Sequence, residues 1–335
     1  MTNLLAGLLG ALLATNQPAA FSNLISQRPG VTAEAADLND PVEREYRQLL
    51  AEDDAAHADV YVLSKDDTKP IDGSTPATNT LVRAQVSRRL EPVRKGYEDF
   101  LKRHPEHARA RLAYGSFLND VGDEHAAAAQ WEKARDINPR LPAVWNNLGN
   151  YYGHNGKVAD AFTCYDKAIA LAPLESVYYQ NLATTAFLFR KPAEEHYGLT
   201  EPQLFNRVMS LYNKALALDP GNFALAVELA QTYYGFKPPV SGDLEEDRRT
   251  EKEHYDTALE AWQRAMKLAN DDVERQSVRV HLARVNIMAG NLEEAHRDLD
   301  LVTNGVFTPV KARLQKKLEG REAELLRAPP VSLRP

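Results

Sequence analysis

An all-α solenoid of antiparallel helix pairs is the fold this sequence predicts, and three observations predict it. The first is one pattern written twice, 34 residues apart: Leu112-Ala-Tyr-Gly115 becomes Asn146-Asn-Leu-Gly149, while Gly122, Ala127, Trp131, Ala134 and Pro139 become Gly156, Ala161, Tyr165, Ala168 and Pro173. A fixed period of this length marks stacked supersecondary units. The second is helical spacing. Trp145, Leu148, Gly149 and Tyr152 form one stripe of a helix, and Ala161, Tyr165 and Ala168 form a stripe on the next. The third is punctuation: Gly156 supplies the turn between the two helices, and Asn138-Pro139 and Ala172-Pro173 stop each second helix.

The composition suits a folded, soluble chain. Of 335 residues, 44 % are hydrophobic and 26 % charged, enough for one large core or two ordinary ones. A net charge of −7 argues against nucleic acid as the main partner. Glu34–Asp72 is acidic, whereas Leu81–Arg103 and Val310–Arg334 are basic; such blocks read as solvated helix faces. Cys164 stands alone, so no intrachain disulfide and no cysteine-based metal site is expected. Its place beside Tyr165 suits a small buried apolar group.

Residues 1–22 read as a secretory signal. Leu4–Ala14 is an apolar run too short to span a bilayer, which takes about 20 residues, so no stable membrane span is expected. Pro18 breaks the run, and Ala20-Phe21-Ser22 carries small residues in the spacing of a cleavage site. Met1-Thr2-Asn3 lacks the basic residue usual in such a signal, and a disordered or helix-capping N-terminus is the alternative. The expected location is periplasmic or secreted, with the cytoplasm as the alternative.

Residues 23–77 hold an N-terminal helix and a linker. Asp40 caps and Pro41 opens a helix through Glu43, Tyr46, Leu49 and Leu50, and Lys65–Pro76 is rich in turn formers. Residues 78–107 form a degenerate repeat, because Val93, Tyr97, Phe100 and Pro105 stand 34 before Ala127, Trp131, Ala134 and Pro139. Five units follow over residues 108–309. In the third, the second-helix set Val208, Tyr212, Ala215 and Pro220 arrives 13 residues late. In the fourth, Ala258, Trp262 and Ala265 arrive 16 late, which places insertions at 190–203 and 235–255, between the helices of a unit. Leu282, Ala283, Gly290, Ala295, Leu299 and Val302 mark the fifth. Residues 310–327 read as an amphipathic capping helix and 328–335 as a frayed tail.

Trp145-Asn-Asn-Leu-Gly-Asn-Tyr-Tyr152, with Gly156, Ala161, Tyr165, Ala168 and Pro173, resembles the signature of the tetratricopeptide repeat (TPR) family. The turn Ala-Gly-Asn-Leu-Glu-Glu-Ala295 is similar to it too, and the resemblance covers about residues 105–306. It implies a TPR α-solenoid, a right-handed superhelix of antiparallel helix pairs. It also implies a concave face, lined by first helices, that binds an extended segment or helix of another protein. On that implication the partner-binding residues are the outward-facing Arg109, Ser116, Asn119, Asn146, Asn147, Asn150, Gln180, Asn181, Thr184, Gln231 and Arg284. Amides suit such a face because each both donates and accepts. Asn147 and Asn181, 34 apart, resemble two rungs of the asparagine ladder of some TPR superhelices, and Ala113 and Glu228 hold the equivalent places. The alternative is that these amides satisfy neighbouring groups within the stack. Leu112 and Val227 stand where a carboxylate-clamping TPR would place Lys or Arg, so that mode is not expected.

The function expected is therefore a non-catalytic scaffold or adaptor for another protein or peptide segment. No Gly-rich phosphate loop, HExxH or nucleophile elbow occurs, so no catalytic, cofactor or metal residue is assigned. His104 and His107 read as surface histidines, and Asp53-Asp54, Asp66-Asp67 and Glu194-Glu195 as solvated pairs. Trp131, Trp145 and Trp262 occupy repeat-core positions. Two other readings stay open: an enzyme or ligand-binding protein with a pocket enclosed by the solenoid and its insertions, and a self-assembling structural module. The insertions themselves read either as functional edges or as loops that extend a helix and shield a hydrophobic seam.

Overall fold

The computed structural model describes residues 40–66, 76–238 and 240–327; the expected signal, most of the Lys65–Pro76 linker and the tail at 328–335 lie outside them. Among the described residues every regular element is helical. They fall into two compact units, 40–173 and 174–327.

The first unit is three helical hairpins: α1 (Pro41–Asp66) with α2 (Pro76–Arg103), α3 (Ala108–Asp120) with α4 (Glu124–Ile137), and α5 (Pro142–His154) with α6 (Val158–Leu171). Small residues on the first helix let an aromatic ring of the second lie against its backbone. A Cβ added at Gly149 would stand 2.7 Å from the Tyr165 ring, and one at Gly115 would overlap Trp131. The turns repeat as well. Gly122 and Gly156 adopt φ of 87° and 77°, a region costly for any residue with a Cβ. The amides of Asp123 and Lys157 then close on the carbonyls of Leu118 and Tyr152 at 2.8 and 2.9 Å, the bond that ends a helix in a left-handed cap.

The hairpin α1–α2 buries Tyr46, Leu49, Val93, Tyr97 and Phe100. The repeat-like positions of α2 thus face α1, so the first helix of this degenerate hairpin lies within residues 41–66. Its acidic residues are not all solvated, as the charge pattern had suggested. Asp53 is buried, accepting from the Tyr97 hydroxyl at 2.8 Å and pairing with His57 at 2.7 Å. Glu43 is also buried. Burial alone would raise its carboxyl, but hydrogen bonds and charge from Arg109 and Arg47 outweigh that and hold it below the usual range. His107 is no surface histidine either. Its ring packs on Tyr46 and Phe100, with centroids 4.8 and 5.1 Å away, and its Nδ1 accepts from the Ala110 amide to cap α3. Cys164 is buried, which pushes its thiol up to about 12 and leaves it inert at neutral pH.

The second unit pairs α7 (Ser176–Leu188) with α9 (Glu201–Leu218), α10 (Phe223–Thr232) with α11 (Leu244–Leu268), and α12 (Asp272–Ala289) with α13 (Leu292–Asp300). After a short 3-10 turn, α14 (Thr308–Arg327) lays Val310, Leu314 and Leu318 over α12 and α13. The first insertion is α8 (Arg190–Tyr197) and the turn leading into α9. The second is an irregular stretch followed by the early turns of α11, which reaches 25 residues against 14 for α4 and α6. Asp243 starts that helix by accepting from the Glu245 and Glu246 amides at 2.9 and 3.0 Å.

The two insertions meet. Phe236 lies 5.9 Å from Phe187 and 5.0 Å from Phe205, and Phe205 also meets Tyr233 at 5.6 Å. The Arg190 guanidinium covers the Phe187 and Phe236 rings at 5.8 and 5.4 Å and donates to the Gly235 carbonyl. Both insertions therefore shield an apolar seam.

Two substitutions test this packing. Gly149→Ala forces a methyl against Tyr165 and is expected to cost on the order of 1–3 kcal/mol, whereas Thr163→Ala on exposed α6 surface leaves stability nearly unchanged. Phe236→Ala removes a buried ring from the insertion cluster, at a cost of about 3–5 kcal/mol. Urea unfolding of each variant reads both values; a Gly149→Ala midpoint equal to that of the parent would contradict the close helix contact.

Candidate partner-binding face

The residues expected to meet a partner lie on α3 and α5 in the first unit and on α7, α10 and α12 in the second. Several of its residues do not face outward. Arg109 is only 17 % exposed: it pairs with Glu43 and lies 5.3 Å over the Tyr46 ring, clasping α1 to α3. Asn146 is fully buried and donates to the Asn147 Oδ1 at 3.4 Å. Asn147, Gln180, Asn181 and Thr184 are buried too. The reason is the close helix approach itself, which lets neighbouring helices cover the first-helix side chains and obliges each buried polar group to find a partner. Asn119 is exposed, and Ser116, Asn150, Gln231 and Arg284 are half-buried. The Arg284 guanidinium sits 5.4 Å over the Tyr234 ring. Of the three tryptophans, Trp131 and Trp262 are core residues, while Trp145 is half-buried and donates to the Pro139 carbonyl at 2.8 Å.

The bonds on this face recur from hairpin to hairpin. In the first unit Asn147 donates to the Ser116 hydroxyl, 31 residues earlier, and the Tyr165 hydroxyl donates to Asn150. In the second unit the equivalent places are Glu228 with Thr184, 44 residues apart, and Tyr212 with Thr184. At the ladder position, then, an amide in one unit becomes a carboxylate in the other.

Glu228 is the sole charge in the ten-residue α10. Gln180 Nε2 donates to both of its carboxylate oxygens at 3.0 Å, and the Thr184 hydroxyl donates at 3.4 Å while bonded to the Tyr212 hydroxyl at 3.0 Å. Gln180 and Thr184, expected to bind a partner directly, instead orient this carboxylate. All its donors are neutral, and among the described residues no lysine, arginine or histidine pairs with it. Burial dominates and pushes the carboxyl up to about 7, with the Gln180 and Thr184 bonds acting against the shift.

Two residues before Ala283, as Glu228 stands two before Ala230, comes His281. It is stacked on Trp262 at 4.1 Å and bonded to the Tyr234 hydroxyl at 3.2 Å, and burial takes it down to about 3, so it is neutral. Sequence reasoning passed over Glu228 because it looked like a missing rung. The signal available was a lone acid inside Phe-Ala-Leu-Ala-Val-Glu-Leu-Ala, where every neighbour is apolar.

A carboxyl held higher in the folded chain than its ordinary 4.5 means that the folded state keeps its proton more tightly than the unfolded state does. Stability is therefore greatest below about pH 4.5 as far as this group is concerned, and falls as pH rises towards 7. The loss expected is on the order of 2–3 kcal/mol. Glu228→Gln removes it, so the variant should unfold at higher urea than the parent at pH 8 and lose that advantage near pH 4.5. An equal pH dependence in parent and variant would contradict the environment described for Glu228.

Residues 142–174, which are α5, α6 and the stop after them, match the tetratricopeptide repeat family model. No curated protein matches the chain. Among solved structures, MamA is similar at 17 % identity and a TM-score of 0.40, over 56 % of this chain and 96 % of its own. YrrB, described as a TPR protein with an unusual peptide-binding site, is similar at 12 % identity and 0.47, over 68 % and 97 %. PilF of Pseudomonas aeruginosa is similar at 15 % identity and 0.45, over 82 % and 99 %. Likenesses this distant carry no partner or activity over to this chain. Residues 142–174 thus carry a tetratricopeptide repeat, and its glycine turn, ring contact and rung recur in hairpins outside it.

Proposed function

We propose that this chain is a non-catalytic interaction scaffold that holds a segment of another protein against the first helices of its hairpins. The observation that carries the reading is the repeated rung. Asn147 on Ser116 and Glu228 on Thr184 fix polar side chains in place before any partner arrives, which lowers the ordering cost of binding. Beside these rungs Asn119, Asn150, Gln231 and Arg284 keep exposed polar surface able to pair with a backbone or side chain. We also propose that residues 1–22 direct export, which N-terminal sequencing of the native protein tests: an intact Met1 or Thr2 would sink it.

The scaffold reading is tested by placing a photo-crosslinking amino acid, one at a time, at Asn119, Asn150 and Gln231, and at the exposed second-helix residues Thr163, Lys167 and Lys214. In the source organism the first set should yield one and the same crosslinked protein, and the second set none. Crosslinks confined to the second-helix positions, or none at any position, would refute it.

A further inference from the structure

We infer that Glu228 is the receptor for a cationic group of the bound segment: a lysine or arginine side chain, or an amino terminus. This rests on the scaffold reading and adds the chemistry recognised at one point of the face.

Glu228 is half-buried and sits among Gln180, Thr184 and Tyr212, all of them buried. One Gln180 nitrogen bridges both carboxylate oxygens at 3.0 Å, which sets the plane of the group. The Tyr212–Thr184 bond holds the second donor in place. The site is thus shaped before occupation, but its charge is answered only by neutral donors. A carboxylate offers about four acceptor positions, and three contacts from two side chains leave capacity for an incoming N–H. Arg284 and Arg190 are engaged elsewhere, over the Tyr234 ring and at the Gly235 carbonyl. An ammonium or guanidinium would supply charge-assisted bonds and offset the desolvation of the carboxylate. An anionic or apolar group would leave that cost standing.

The test uses the full chain, labelled with ¹⁵N in glutamine side chains, and two probes: ethylguanidinium chloride and n-butylammonium chloride. Sodium butyrate at matched ionic strength is the anionic counterpart. The Gln180 amide resonance is assigned by its loss in Gln180→Met. Each cation should shift that resonance saturably in the parent, butyrate should not, and Glu228→Gln should abolish the response. The variant removes a costly charge and is expected to stay folded, which its remaining resonances report. No shift, a shift that never saturates, or an equal shift in Glu228→Gln would overturn the inference. The crosslinking experiment reports separately. First-helix crosslinks with an insensitive Gln180 resonance refute the cation receptor alone; a saturable response without those crosslinks supports the receptor and refutes the scaffold reading.

Discussion

The closest constraint in this protein is the contact, seen in two successive hairpins, between a glycine on the first helix and an aromatic ring on the second. Gly115 lies under Trp131 and Gly149 under Tyr165, with no room for a methyl at either place. Helices that approach this closely need few large side chains between them, so alanine and glycine fill much of the interface. The same closeness covers polar residues that would otherwise face water. Once covered, they must be bonded, because an unpaired buried donor or acceptor costs about 1–3 kcal/mol. Rungs of polar side chains follow from the packing.

What occupies a rung then decides what the face can do. Asn147 donates to Ser116 and accepts from Asn146, so its amide is satisfied inside the stack. A carboxylate in the same place cannot be satisfied so evenly. It only accepts, and it brings a charge that Gln180 and Thr184 solvate without cancelling. Glu228 is thereby the point in α10 where the fold holds unfavourable free energy, and a ligand of the right sign can relieve it.

The period, the turns and the ring contacts were legible in the sequence because they are local patterns repeated at fixed spacing. Gly156 and Tyr165 announce a turn and a contact within one repeat, without reference to the rest of the chain. What could not be read depended on partners far away. Glu43 and Asp53 look like solvated acids until Arg109 and Tyr97 are brought to them, 66 and 44 residues later in the chain. Arg109 looks like a free cation for the same reason. Phe187, Phe205 and Phe236 carry no shared spacing, so their cluster appears only when the second insertion folds against α7 and α9. On the candidate face, position was legible, as Glu228 at a ladder place; exposure was not, because it depends on which neighbours cover a residue.

The insertions bear on the face through one further regularity. The bond from the ladder residue to the preceding hydroxyl spans 31 residues at Asn147–Ser116 and 44 at Glu228–Thr184. The bond from the second-helix tyrosine to its first-helix acceptor spans 15 residues at Tyr165–Asn150 and 28 at Tyr212–Thr184. Both differences are 13 residues, the length by which the third unit runs over the period. Added residues that had displaced either helix would have broken one of these bonds or shifted it by a turn. Instead α8 leaves the hairpin, turns back at Gly198 and re-enters through the capping box of α9 with the register kept. The extra chain satisfies itself against the second insertion, where Arg190 takes up the Gly235 carbonyl and the phenylalanines close the seam. Because the disturbance is absorbed there, the first helices can keep a carboxylate and its donors in the geometry that an unbroken repeat gives to two neutral side chains.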